Sequence, residues 1–298
     1  MKLGHISDLH IFALEQTTPR RFLNKRLVGG TNILFNRGKS HSPQVVQAAL
    51  DMLDSFGVDH IAITGDLTNL ALEEEFRAAA NVIDGITDAE SRVSVVPGNH
   101  DYYVPEIEQT GAFERHFERF QQSDLPSYQL ETGYPFCKFF GEDVALIGLN
   151  TGIASPPMFA VGKVDEKELR SLEQLLDDPK VRDRYKIVML HHPPIRTGIR
   201  FMDAIGLENT AALNATLADT RADVTLIAGH VHGVHHGRLG RHRVATALST
   251  CSGFALDRRA DAVTGFYLGP TGCAVIDTGA DGIISAVPLD PADGPFSF

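Results

Sequence analysis

Six short apolar runs in this chain each stop on a residue able to ligate a metal or to move a proton. They are KLGHIS into Asp8, HIAIT into Gly65-Asp66, RVSVV into Pro97-Gly98-Asn99-His100, VALIGL into Asn150, KIVML into His191, and VTLIA into Gly229-His230. Runs this short, bounded by Gly, Pro and Asn, read as buried strands. The segments between them carry a helical period. Ser42-Pro43 open one helix as N-cap and first residue, with Val46, Ala49, Leu50, Leu53 and Phe56 on one face and Gly57 as stop. Further helices are expected from about Leu72 to Ile83, after Thr110 with Phe113, Phe117 and Phe120 in line, from about Asp165 to Leu176, and from about Thr210 to Leu217. From His235 onward the helical signal fades into RVATAL, GFYLG, GCAVID and IISAVPL, which suggest antiparallel strands.

No repeat, low-complexity tract or Pro/Ser-rich linker divides the chain, so one layered α/β domain over residues 1–298 is expected. Ligands of such sheets gather beyond the carboxyl ends of the strands. A net charge of -11 argues against a general nucleic-acid binder, because phosphate backbones are held by excess Lys and Arg. Cys137, Cys251 and Cys273 form no CxxC pair and read as buried free thiols of a reducing compartment. The N-terminus lacks a long apolar segment, and no run approaches a membrane span, so a cytoplasmic protein is expected.

Singly, each strand end has a plain alternative. Asp8 and His10 fit a turn with a surface histidine, Gly65-Asp66 and Asn99-His100 fit turns, and His230 and His232 fit half-buried core histidines. Jointly, Asp, His and Asn at so many strand ends form a set of oxygen and imidazole ligands suited to Mn, Fe, Zn or Ni. Thiolates are absent from that set, which points to a hydrolytic centre rather than a structural zinc site.

SDLH, GDLTN, GNHD, HHPP and GHVH, in this order from Ser7 to His232, resemble the signature blocks of the calcineurin-like metallophosphoesterase superfamily. The resemblance implies an α/β metallophosphatase fold, a four-layer αββα sandwich of two mixed sheets flanked by helices. It implies two first-row metal ions, Mn, Fe or Zn, at the sheet ends. One would be held by Asp8, His10, Asp66 and His232, the other by Asp66, Asn99, His191 and His230, with Asp66 as bridge. It implies a catalytic His100 aimed at the leaving group, with Asp101 holding or tuning it. Two such ions clamp the attacking and leaving oxygens of an in-line displacement and lower a bound water's pKa to about 7. Two carboxylates and a hydroxide against two divalent ions leave a charge of about +1, which favours a phosphate-ester anion.

The blocks look most like the bacterial branch with class III cyclic-nucleotide and glycerophosphodiester phosphodiesterases. That branch is similar to UDP-2,3-diacylglucosamine pyrophosphatases. Hydrolysis of a phosphodiester by a metal-activated hydroxide is the expected activity, with a lipid-linked nucleotide as the alternative substrate. A non-catalytic scaffold would predict eroded ligand positions, and a nuclease would need a wide basic groove. Tyr102 and Tyr103 are candidates for stacking on a base or sugar, and Arg196 and Arg200 for neutralising a second phosphate. Loop anchors and a solvated loop are their plain alternatives.

Residues from about 15 to 42 form an insertion after the Asp8 block. A stretch that long is usually functional or disordered, and Leu23, Leu27, Val28, Ile33, Leu34 and Phe35 make it too apolar for disorder. Arg20, Arg21, Lys25, Arg26, Arg37 and Lys39 flank those residues. The stretch from 20 to 41 therefore reads either as a flap for an acyl-phosphate or peripheral membrane contact, or as ordinary packing with solvated arginines. An oligomer is compatible with either.

Overall fold

The computed structural model describes residues 1–14, 17, 26, 43–156, 159–254, 266–267, 270–280 and 282–289. The insertion expected over 15–42 lies outside these, apart from Thr17 and Arg26.

The apolar runs form strands. The first sheet contains β1 (Lys2–Ile6), β2 (His60–Thr64) and β3 (Val93–Val96). The second contains β4 (Phe136–Phe140), β5 (Val144–Gly148), β6 (Tyr185–Met189), β7 (Val224–Ala228), β8 (His236–Leu239) and β9 (His242–Thr246). A short pair, β10 (Gly253–Phe254) and β11 (Phe266–Tyr267), stands apart. β12 (Gly272–Asp277) and β13 (Ile283–Pro288) return to the first sheet, giving the order β13-β12-β1-β2-β3. The second sheet runs β4-β5-β6-β7-β9-β8. β1, β2 and β3 are mutually parallel, as are β5, β6, β7 and β9, while β12, β4 and β8 run antiparallel to their neighbours. Both sheets are therefore mixed.

Strand alternation sorts the side chains between layers. Leu3, Ala62 and Ile276 of the first sheet meet Phe136, Leu146, Ile187, Met189 and Ile227 of the second in the seam between the sheets. Ile61 and Ile63, on either side of Ala62, face outward instead. They pack with Val46, Ala49, Leu50 and Leu53 of the helix Pro43–Ser55 and with Phe76, Ala79 and Ile83 of the helix Glu73–Asp84. On the other side Ala145, Ile147, Val188 and Leu226 pack with Leu172 and Leu175 of the helix Glu166–Asp177 and with Leu213 and Leu217 of the helix Thr210–Leu217. Helix, sheet, sheet and helix form the four layers.

Two helical expectations need correction. Phe56 is 44 % exposed, because the helix ends at Ser55 and the next residue leaves its apolar face. Phe113, Phe117 and Phe120 are all buried, but not on one helix: Phe113 and Phe117 lie on the helix Ala112–Phe117, which begins after Gly111, and Phe120 lies on the 3-10 turn Glu118–Phe120. The three cysteines are buried and free. No helix among the described residues is long and apolar enough to cross a membrane.

Candidate metal centre

The chain leaves β1 and β2 together. The amides of Asp8 and His10 donate to the carbonyls of Gly65 and Asp66 at 3.0 and 2.8 Å, which ties the two strand ends into one loop cluster. Asp8, His10 and Asp66 adopt left-handed backbone, with φ of 53°, 46° and 53°, as do His230 and His232 after β7, at 70° and 49°. Non-glycine residues seldom sit there, and Asp, Asn and His do so most readily. Five of the seven such residues in the described chain belong to this one site. Close approach fixes the neighbouring loop: a Cβ on Gly98 would lie 2.2 Å from Asp66 Oδ1.

Two donor sets result, and Asp66 Oδ2 belongs to both. In the first, His10 Nε2 is 3.2 Å from His232 Nε2 and 3.7 Å from Asp66 Oδ2, while His232 Nε2 is 3.4 Å from Asp8 Oδ1. In the second, Asn99 Oδ1 is 3.2 Å from His191 Nε2 and 3.0 Å from His230 Nδ1, and His191 Nε2 is 3.3 Å from Asp66 Oδ2. Bonds of about 2.1 Å from one ion separate its ligand atoms by about 3.0 to 3.5 Å. All of these pairs but His10–Asp66, at 3.7 Å, are spaced to that measure, and the donors suit a pair of cations. Further observations agree. His232 Nδ1 bonds the Ser252 carbonyl at 2.9 Å and His191 Nδ1 the Thr64 carbonyl at 2.7 Å, so each ring turns Nε2 into the cluster. Both oxygens of Asp8 also accept from the His230 amide, at 3.0 and 3.1 Å.

The charges favour cations. Burial opposes ionisation of Asp66, but His191, His100 and His10 hold its carboxyl well below the usual range. Despite burial, Asp66 and Asp8 push His191 up to about 9. A site that retains protons on imidazole is one that a divalent ion can enter by displacing them.

The remaining sequence candidates fall into place unevenly. His100 is only partly buried, unlike the residues of the two donor sets, and its ring lies 4.7 Å from that of His10, edge to face. Its Nδ1 bonds the Asn69 carbonyl at 2.7 Å. Asp101, expected to hold or tune His100, has its carboxylate engaged elsewhere. It accepts from the amides of Leu67, Thr68 and Gly98 at 3.2, 3.0 and 2.9 Å and from Thr68 Oγ1 at 3.0 Å, tying the GDLTN and GNHD loops together. Burial, then the Asp66 charge, push its carboxyl up to about 7. Tyr102 is a correction. It is 4 % exposed and its hydroxyl donates to Glu114, so it is a core anchor rather than a stacking surface. Tyr103 is buried and stacks on His100 at 5.5 Å. Arg196 and Arg200 are exposed; Arg196 borders a surface cavity with Pro193, Asp203 and Glu208. Asn150, the remaining strand end, turns its Oδ1 to the Gly152 amide at 2.8 Å.

Several participants escape sequence reading. Ser249 Oγ donates to the Asp8 carbonyl at 3.0 Å, and Cys251 Sγ lies 3.9 Å from His232 Nδ1. Their signal was the polar run Ser249-Thr250-Cys251-Ser252 just past β9. Asn69 closes the GDLTN block, but its hold on His100 left no signal because it acts through its backbone carbonyl.

Paired Asp/His/Asn clusters at the carboxyl ends of two facing mixed sheets define a metal-dependent hydrolase of the metallophosphatase class. The chain belongs to the calcineurin-like phosphoesterase family, whose model matches residues 1–234. It is 29% identical over 219 residues to the probable glycerophosphodiester phosphodiesterase GpdQ of Arcobacter nitrofigilis, covering 71% of this chain and 70% of that one. It is 26% identical over 256 residues to the 3',5'-cyclic adenosine monophosphate phosphodiesterase CpdA of Escherichia coli, covering 85% and 78%. A dimetal phosphatase from Danio rerio shares the fold, with a TM-score of 0.58 at 15% identity over 93% of this chain and 92% of that one.

Proposed function

We propose that this protein hydrolyses small phosphodiesters with two first-row divalent ions, Mn, Fe or Zn. The single observation carrying this reading is Asp66 Oδ2, which faces His10 Nε2 at 3.7 Å and His191 Nε2 at 3.3 Å. Asp8, His10, Asp66 and His232 would hold one ion, and Asp66, Asn99, His191 and His230 the other. Bound there, the ions supply an activated water and neutralise the phosphoryl oxygens.

The chain's own groups do the rest. Asp66 Oδ1 accepts the His100 amide at 2.7 Å, and Asp66 would help hold both ions. That bond seats the start of the 100–103 turn against the bridge. With Nδ1–H on the Asn69 carbonyl, His100 carrying a second proton on Nε2 would deliver that proton to the departing oxygen or donate it in a hydrogen bond to a phosphoryl oxygen. His192 supports the second set from behind, its ring 4.5 Å from that of His230 and its nitrogens on Thr151 Oγ1 and the Ala160 carbonyl at 2.9 and 3.0 Å.

The relatives named as glycerophosphodiester and cyclic-AMP phosphodiesterases support a small diester substrate. The test is a panel on metal-stripped and Mn-reloaded protein: bis(p-nitrophenyl) phosphate, cyclic AMP, glycerophosphoethanolamine and a UDP-diacylglucosamine. Metal-dependent turnover of the small diesters is expected. Turnover confined to the lipid-linked nucleotide would replace this substrate class with the pyrophosphatase alternative. Inactivity of the fully loaded protein on every member would favour a scaffold.

A further inference from the structure

The loop Leu67–Leu72, just after the bridging Asp66, has its backbone polar groups claimed from several directions. Leu67 and Thr68 donate to Asp101, and the Leu67 carbonyl accepts the Ile11 amide at 2.8 Å. The amides of Leu70 and Leu72 donate to Glu75 Oε2 at 2.8 and 3.1 Å. Asn69 donates from Nδ2 to the His10 carbonyl and holds His100 Nδ1 with its own carbonyl. The carbonyls of Leu70 and Ala71 are taken by one side chain: Arg26 Nε at 2.8 Å and Nη2 at 2.7 Å. Ala71 sits at φ 53°, a conformation alanine seldom adopts, so this part of the loop needs outside restraint.

Arg26 is therefore neither solvated nor poised for lipid. It is fully buried, with Nη1 3.6 Å from Glu106 Oε2. A guanidinium is well suited to this, since its planar fork spans two carbonyls at once and its charge strengthens both bonds. Glu75, also buried, accepts the Leu72 amide of the Ala71–Leu72 peptide whose carbonyl Arg26 holds, and the Leu70 amide of the Asn69–Leu70 peptide that carries the Asn69 carbonyl. Burial pushes its carboxyl up to about 8, against the pull of the loop amides and of Arg26.

We propose that Arg26, supplied by the insertion, is a positioning residue for His100. By clamping Leu70 and Ala71 it fixes the Asn69 carbonyl that orients the His100 ring. The link from Arg26 to the chemistry is thus one loop long: guanidinium, two carbonyls, the Asn69 peptide, Nδ1–H. The proposal rests on the reading of His100 as donor to the leaving oxygen, and its test separates the two.

Full-length Mn-loaded wild type, Arg26→Met, His100→Ala and the double variant are assayed on two diesters. Bis(p-nitrophenyl) phosphate releases a good leaving group that needs little protonation, whereas glycerophosphoethanolamine releases an alkoxide that needs it. Arg26→Met is expected to keep its metal and its KM. Its kcat should fall about tenfold on the alkyl diester and no more than about threefold on the aryl one. In the His100→Ala background it should cost nothing further. An equal fall on both substrates, or losses that add to those of His100→Ala, would overturn the proposal. Should Arg26→Met not fold, Arg26→Lys offers one ammonium for two carbonyls and enters the same cycle with the same criteria. If His100→Ala itself affects both diesters alike, the donor reading fails. The positional link is then read from the His100 imidazole nitrogen shifts in Arg26→Lys, where an unchanged spectrum overturns it.

Discussion

Asp66 Oδ1 accepts the backbone amide of His100 at 2.7 Å, while Oδ2 of the same carboxylate points between His10 and His191. One side chain thereby joins both donor sets to the loop carrying the proposed proton donor. Asp66→Asn keeps an Oδ1 acceptor and removes the charge. Metal content measured after gel filtration should fall for both ions. Activity should drop by more than the roughly 10- to 100-fold typical of losing an outer partner. Retention of both ions would remove Asp66 as the bridge.

Gly98→Ala tests the same corner sterically. Its Cβ would meet Asp66 Oδ1 at 2.2 Å and Asp66 N at 2.5 Å, and the backbone atom has little room to yield. Unfolding in urea should show a loss on the order of 1 to 3 kcal/mol, accompanied by weaker metal binding. Wild-type stability in this variant would mean that the loop has slack the structure does not contain.

Ser249→Ala removes the hydroxyl that bonds the Asp8 carbonyl at 3.0 Å and the Cys251 amide at 3.0 Å. It leaves every proposed ligand in place. Chelator competition should report a loss of about tenfold in affinity for the first ion. An equal loss at the two ions would argue for a general loosening instead.

Acid should unfold the protein through two buried histidines that belong to neither donor set. His5 bonds Thr64 Oγ1 at 2.8 Å and His60 bonds Ser94 Oγ at 2.9 Å, both beneath the first sheet. Burial lowers His5 to about 4, with Asp8 opposing, and lowers His60 to about 3, aided by Lys138. Their folded values lie below the unfolded 6.5. The unfolded chain therefore binds more protons, and stability is lost as pH falls below that value. The slope contributed is on the order of 1.4 kcal/mol per pH unit for each ring. Denaturant midpoints should fall across this window, and His60→Gln should flatten the decline. A His60→Gln curve parallel to wild type would assign the acid limb to other groups.

The strand ends were legible because an apolar run that stops on Asp, Asn or His carries two signals at once, a buried strand and a ligand. Phe113, Phe117 and Phe120 were legible as core but not as two elements, since the change from helix to 3-10 turn after Phe117 is a matter of backbone angles that spacing does not encode. The resemblance implied Asp101 as the residue holding or tuning His100. The actual partner, Asn69, lies 31 residues away and uses a carbonyl, which every residue type has. Arg26 looked like one charge in a basic stretch, and only its burial against Leu70 and Ala71 distinguishes it.

The left-handed backbone at Asp8, His10, Asp66, His230 and His232 narrows the alphabet of this centre. Asp, Asn and His are the coordinating residues that tolerate such angles, whereas glutamate gains nothing there from its longer arm. Drift toward a different metal by exchanging ligand types is consequently restrained by conformation before coordination chemistry is consulted. A lineage seeking new specificity on this scaffold would find its freedom in the surrounding loops.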